Sequence, residues 1–432
     1  MPNFYSSLPT FNSDIVRGDR FIPLRESSMN EYVPPPKCNT PCNKDFDFVD
    51  SVLPNRENQL RFSKIKENIG DVLPPDLADR DTFASAKSLK IERQPVKVLE
   101  APSLLDDYYL SLVAWSKTNM IAVGLEDTVY LFNFLSNNVK KHFSVPRMGT
   151  SMGLGSDTDV NSYVCSLNFE EGGNSLAIGD SIGQIHITDV EKNKLSSSSL
   201  CHSSRIGSLH WQENILISGS RDKTVRYFDV RQNLAHPVFT FAGHVQEICG
   251  LKLSPDNNYI ASGGNDNQLL LWDNRKMKLL GSLGEHEAAV KALAWCPKKR
   301  SILVSGAGTA DRKLRIFDTA KCQQLAKIDT GSQVCNLTFD RDGDSLISTH
   351  GYSLNQMIVW NYSKNFDRLR KEDVIMAHKL RVLYLATSPC GKYVATGAGD
   401  ETIRIWNLMN QRRPSYQNNG FEGFGGKFLT MR

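Results

Sequence analysis

The sequence predicts an all-β fold, a closed ring of seven four-stranded blades. Three observations predict it: one hairpin unit recurs along the chain, its spacing is nearly constant, and its copies tend to end in an aromatic residue followed by Asp or Asn. The clearest copy is IASGGNDNQLLLWD at residues 260–273. A short apolar run ends in small residues, a Gly-Asn-Asp-Asn turn reverses it, and a second apolar run closes on Trp272-Asp273, which reads as a β-hairpin. Variants stand at residues 176–189, 216–229, 303–318, 346–361 and 394–407, and a degenerate first copy at residues 121–133. The closing positions 133, 189, 229, 273, 318, 361 and 407 are 40 to 46 residues apart, apart from one gap of 56. That period and the Trp-Asp endings belong to WD repeats. A blade cannot bury both faces alone, so the blades pack radially and close into a β-propeller.

Composition sets the broad class. A chain of 432 residues, 40% hydrophobic and with a net charge of +4, buries a large core and lacks the overall charge of a nucleic-acid binder. The first residues, MPNFYSSLPTFNSD, have no basic flank followed by an apolar run, and no apolar stretch is long enough to span a bilayer. Residence in the nucleus and cytoplasm is expected, with neither a nucleic-acid nor a membrane partner.

Seven of the nine cysteines (Cys165, Cys201, Cys249, Cys296, Cys322, Cys335 and Cys390) are scattered through the repeats, where buried thiols are the default. Cys38 and Cys42 form one close pair without a second, so no metal site or cofactor is expected. The histidines are explained by the fold. In a complete repeat a His ahead of the first strand, a Ser or Thr, the turn Asp and the closing Trp form a buried hydrogen-bond chain: His244, Ser262, Asp266 and Trp272, and again His378, Thr396, Asp400 and Trp406. His202 with Asp222 and His286 with Asp311 are partial copies ending in Phe. No Ser/His/Asp set, phosphate loop or carboxylate pair stands out, so a non-enzyme is expected.

In chain order, residues 1–90 read as a largely disordered arm, with Pro34-Pro35-Pro36, Pro41, Pro54 and Pro74-Pro75 and few periodic apolar positions. Two islands interrupt it. Residues 18–25, GDRFIPLR, set two arginines around an aromatic, an Ile and a φ-fixing Pro, a composition suited to anchoring in a groove lined by carboxylates. Residues 59–70, QLRFSKIKENIG, carry Leu60, Ile65 and Ile69 at helical spacing; the Lys66-Glu67-Asn68 within them is open to two readings, a degron tripeptide or part of a docking helix. The propeller is assigned to residues 91–412. Val96, Val98 and Leu99 form a strand ahead of the first repeat, placed to complete blade 7 from the N-terminal side and hide the last free edge. Residues 413–432 read as a flexible tail, Gly-rich at 420–426.

The chain resembles the fizzy and fizzy-related coactivators of the anaphase-promoting complex. DRFIPLR is similar to their C box, PVKVLEAPSLLDDYYLSLVAWS to their propeller lead-in, and SGGNDN, VKALAWCP, SQVCNL and GDETIRIW continue the match over residues 18–412. The resemblance implies a substrate-recruiting subunit whose partners are the ligase complex and degron-bearing proteins. Asp19, Arg20, Phe21, Ile22, Pro23 and Arg25 would dock on the ligase, together with a C-terminal dipeptide, here Met431-Arg432, where Met replaces the family's Ile. Asp107 and Glu401 would clamp the arginine of a destruction box, and Asn265, Asn267, Thr309, Gln333 and Arg381 would form a KEN-box pocket. Ala114 replaces an Asp of the family expected near the KEN lysine, so a preference for destruction boxes is expected. In the arm, Ser or Thr precedes Pro only at Thr40-Pro41, which suggests weak restraint by proline-directed kinases and suits a specialised, meiotic form. The alternative is a general WD-repeat scaffold without a role in ubiquitin transfer.

Overall fold

The computed structural model describes residues 87–146 and 162–412. The C box, Cys38 and Cys42, the Lys66-Glu67-Asn68 island and Met431-Arg432 lie outside the described residues.

Seven antiparallel sheets succeed one another. Blades 1 to 6 span residues 113–144, 164–200, 206–242, 248–282, 290–329 and 334–376, each with four strands in chain order from the channel outward. The excess that makes the spacing from 133 to 189 the long one falls in the connection between Ser144, where blade 1 ends, and Val164, where blade 2 begins. Blade 7 has three strands of its own, Val382–Thr387, Tyr393–Ala398 and Thr402–Arg412. The last has 11 residues, long enough to take two partners from the N-terminal side. Lys97–Glu100 pairs with its first half, Leu99 opposite Ile403, and Lys87–Ile91 with its second half, Ile91 opposite Leu408. Closure from the N-terminal side is therefore as expected, but with two strands in place of one.

Burial follows position in the blade. The innermost strand Val290–Trp295 is buried at every residue, whereas the outermost Asn138–Ser144 is mostly exposed or half-buried. Inner strands are covered on both faces by neighbouring blades, so apolar residues run on without alternation. The approach between blades is close: a Cβ on Gly263 would stand 2.2 Å from the carbonyl oxygen of Val290 in blade 5, so only glycine fits that position.

The hydrogen-bond chains form as the repeats indicate. Trp272 Nε1 donates to Ser262 Oγ at 2.8 Å, the hydroxyl meets His244 Nε2 at 2.8 Å, and His244 Nδ1 meets Asp266 at 3.1 Å. Blade 7 repeats this with Trp406, Thr396, His378 and Asp400 at the same distances. In blade 5 the closing Trp is a Phe and the buried Arg315 compensates, donating to Asp311 Oδ1 at 3.0 Å while His286 holds the other carboxylate oxygen at 2.6 Å. In blade 3 His202 meets Asp222 at 2.8 Å and Ser218 Oγ at 2.6 Å, so all four histidines satisfy buried polar groups and tie turns to sheets.

Candidate functional site

The face carrying the second-to-third-strand turns and the loops between blades is crossed by residues 104–110, the lead-in to blade 1. Its side chains and carbonyls are claimed from across the ring. Leu104, Tyr108 and Leu110 are fully buried, and Tyr108 sits in the channel against Cys165, Cys249 and Cys335, its hydroxyl donating to Val334 O at 3.0 Å. Tyr384 donates to Leu105 O at 2.6 Å, and Lys291 Nζ to Leu110 O at 2.9 Å and Leu383 O at 3.3 Å. Burial pushes Lys291 down to about 8. Tyr108 thus stoppers the upper channel, and Asp106, Asp107 and Tyr109 are held on the rim around it.

Two of these rim residues reach the sequence-predicted KEN pocket. Tyr109 donates its hydroxyl proton to Asn265 Oδ1 at 3.0 Å, and Asn265 Nδ2 donates to Gln246 Oε1 at 2.7 Å. Arg381, 3% exposed, donates from Nε to Asp106 Oδ1 at 3.0 Å and from a terminal nitrogen to Asp106 O at 2.8 Å. Its guanidinium also lies over the Tyr352 ring, 5.2 Å from the centroid. Gln333 and Arg381 meet at Gly351, where a Cβ would stand 2.5 Å from Gln333 Oε1 and 3.3 Å from Arg381 Cγ. Asn267 occupies the left-handed position of the blade 4 turn at φ 64°, and Thr309 the corresponding turn of blade 5. The five residues therefore come from blades 4 to 7 onto one face, which carries their amide, hydroxyl and guanidinium groups.

Asp107 and Glu401 meet different neighbours. Asp107 turns toward blade 3, where Arg205 donates to its Oδ2 at 2.9 Å and the Tyr109 N–H to its Oδ1 at 2.9 Å. Arg205 simultaneously grips Glu247 bidentately at 2.6 and 2.9 Å, so two carboxylates share one guanidinium. Glu401 is exposed in the blade 7 hairpin turn at φ 58°, and its carbonyl accepts from Ala101 N–H at 2.8 Å. The acid against blade 7 is Asp106, whose Cγ stands 2.7 Å from the position of a Cβ on Gly399.

One expectation is corrected. Ala114 is not beside the KEN pocket: it lines the lower channel with Lys117, Glu171 and Lys252, at the opposite mouth. It lies in the first strand of blade 1, and none of Asn265, Asn267, Thr309, Gln333 and Arg381 lines that part of the channel. The Arg205 network and the Tyr108 stopper were missed in the sequence. The signal for them was the Asp-Asp-Tyr-Tyr run before the first strand, which is too polar to be ordinary strand and too aromatic to be ordinary linker.

Among the described residues no helix is long and apolar enough to cross a membrane, and no group of three or more His, Cys, Asp or Glu is placed to hold a metal ion.

A closed seven-bladed ring of such repeats with a lead-in segment strapped over one face defines a WD-repeat β-propeller. Residues 99–406 match the CDC20/Fizzy WD40 domain, and the chain belongs to that family. It is similar to Protein FIZZY-RELATED 2 of Arabidopsis thaliana, 44% identical over 340 residues, which covers 79% of this chain and 66% of that relative, just under two thirds of its length. The Anaphase-promoting complex subunit cdh1 of Dictyostelium discoideum is 38% identical over 369 residues, 78% of this chain and 47% of that protein. Meiotic fizzy-related protein 1 of Schizosaccharomyces pombe is 39% identical over 320 residues, 74% and 72% respectively. Among solved structures, a chain of the "Crystal Structure of Mitotic Checkpoint Complex" is similar with a TM-score of 0.68 and 35% identity, over 79% of this chain and 97% of that one.

Proposed function

We propose that this protein is a substrate-recruiting activator subunit of the anaphase-promoting complex, a non-catalytic adaptor that binds destruction-box and KEN-box degrons on the face crossed by residues 104–110. Family membership and the name of the Dictyostelium relative support the ligase role, and the C box at residues 19–25 supplies a docking segment. The observation that supports the degron reading is the convergence of Asn265, Gln333 and Arg381 around the strapped lead-in, which holds polar groups at fixed geometry on one face. A meiosis-specialised form accords with the single Ser/Thr-Pro site in the arm and with the name of the Schizosaccharomyces relative. Nucleus and cytoplasm are the corresponding places of work.

Asp107 and Glu401 are assigned to the arginine of the destruction box. Replacing both by Ala weakens a labelled RxxL peptide by about 2 kcal/mol, roughly thirtyfold, in fluorescence anisotropy. Unchanged affinity would remove this assignment. Because Arg205 already holds Asp107, Glu401→Ala alone is expected to account for most of the loss.

A further inference from the structure

The channel holds a cup of about 330 Å³ whose mouth, lined by Lys117, Glu170 and Glu171, lies on the face opposite the candidate degron site. Its volume falls at the lower end of the range for small-molecule pockets. Its inner wall carries several hydrogen-bond donors that no group among the described residues takes, while its carboxylates stand at the rim. Lys252, in the inner strand of blade 4, lines the cup, and among the described residues its ammonium has neither a hydrogen bond nor an ion pair. Burial alone acts on it and pushes its ammonium below the ordinary lysine range, so no carboxylate offsets the cost of holding that charge. Asn168, in blade 2, spends its Oδ1 on the Trp211 N–H at 3.1 Å, and Asn336, in blade 6, spends its own on the Leu337 N–H at 2.9 Å. Both amides keep their NH2 groups as donors. Lys291, at the floor, has two carbonyl acceptors and a third proton to give. The carboxylates nearby are at the rim, Glu170 and Glu171, the latter paired with Lys117 at 2.7 Å.

A water-filled cup with matched donors and acceptors would need no further occupant. One walled by two ammonium groups and two spare amide NH2 groups is complementary to an occupant that brings several acceptors, and an anion brings the most. The donors stand on blades 2, 4, 5 and 6, around the circumference, so a single tetrahedral anion reaches only part of them whereas a branched carboxylate reaches several walls at once. We propose that the lower channel is a binding site for a small di- or tricarboxylate, held by Lys252 and the Asn168 and Asn336 amides with Lys291 at its floor.

The site is separate from the degron face, so its failure leaves the proposed function standing. The test is calorimetric titration of the full chain with citrate and, in a second arm, with inorganic phosphate. Citrate is expected to bind at millimolar or lower concentration and to bind more tightly than phosphate. Lys252→Met, which keeps the aliphatic stem, is expected to weaken citrate by about tenfold or more, while Lys252→Arg and the exposed control Lys276→Met stay within about threefold of wild type. If Lys252→Met does not fold, Ala114→Glu serves in its place: a carboxylate on the cup wall supplies the missing acceptor from within and abolishes citrate binding. No binding of citrate by wild type, phosphate binding as tight as citrate, or citrate affinity equal to wild type in Lys252→Met or in Ala114→Glu would overturn the proposal.

Discussion

Arg381 and Asp106 are 275 residues apart in the chain and joined by two hydrogen bonds, one to the carboxylate at 3.0 Å and one to the backbone carbonyl at 2.8 Å. The pair fastens the lead-in to the loop between blades 6 and 7 and fixes the guanidinium within the candidate KEN pocket. A residue of the pocket is thus also a structural anchor of the segment that organises it.

Asp106→Ala should therefore destabilise the propeller. It leaves the guanidinium of Arg381 buried without its carboxylate, and because the Asp106 side chain is 33% exposed the loss is discounted for solvent to about 2 kcal/mol. Urea denaturation checks this; a change below about 0.5 kcal/mol would show that the lead-in is held by Tyr108 and Tyr384 without help from the ion pair.

Acid should loosen the ring by way of its neutral buried histidines. Burial pushes His210 and His350 down to about 3, and Lys252 and Lys371 add to the respective shifts. The unfolded chain takes these protons near pH 6.5 and the folded chain does not, so the stability they contribute is complete above about pH 6.5 and is lost as pH falls toward 3, with a slope on the order of 1 kcal/mol per pH unit for each. Thermal melts between pH 7 and pH 4.5 should show that decline, and His350→Gln should make it shallower whatever it does to stability at pH 7. Parallel curves for the two proteins would contradict the assignment.

Much of the fold was legible because a propeller is periodic: seven hairpins announce seven blades, and His244 with Asp266 or His378 with Asp400 could be paired by spacing before any coordinates. The second N-terminal strand, Lys87–Ile91, was not legible, because KSLKI carries no turn or repeat signal and its partner is the over-long last strand of blade 7. The site was legible only in part. Gln333 and Arg381 sit at equivalent places ahead of their blades, so topology brings them together. The Arg205 network joins residues from the lead-in, blade 3 and blade 4 that share no periodicity. Ala114 was misplaced because a motif position says nothing about which end of the channel it occupies; strand direction decides that.

Peptide binding separates the two ends of the channel. Asn265→Ala and Arg381→Ala should each weaken a KEN peptide by about tenfold, and Ala114→Asp should leave its affinity within about twofold at low and high salt, since the new carboxylate lies at the other mouth. Tightening by Ala114→Asp would mean that the peptide enters from the lower face.

The most direct measurement is ubiquitination of a destruction-box substrate by purified anaphase-promoting complex with and without the full chain. The account predicts that wild type raises the rate well above that of the ligase alone, while Arg20→Ala, altered in the C box, does not, although its propeller melts at the same temperature and binds the RxxL peptide as tightly. A wild-type chain that leaves the ligase at its basal rate, or an Arg20→Ala chain as active as wild type, would contradict it.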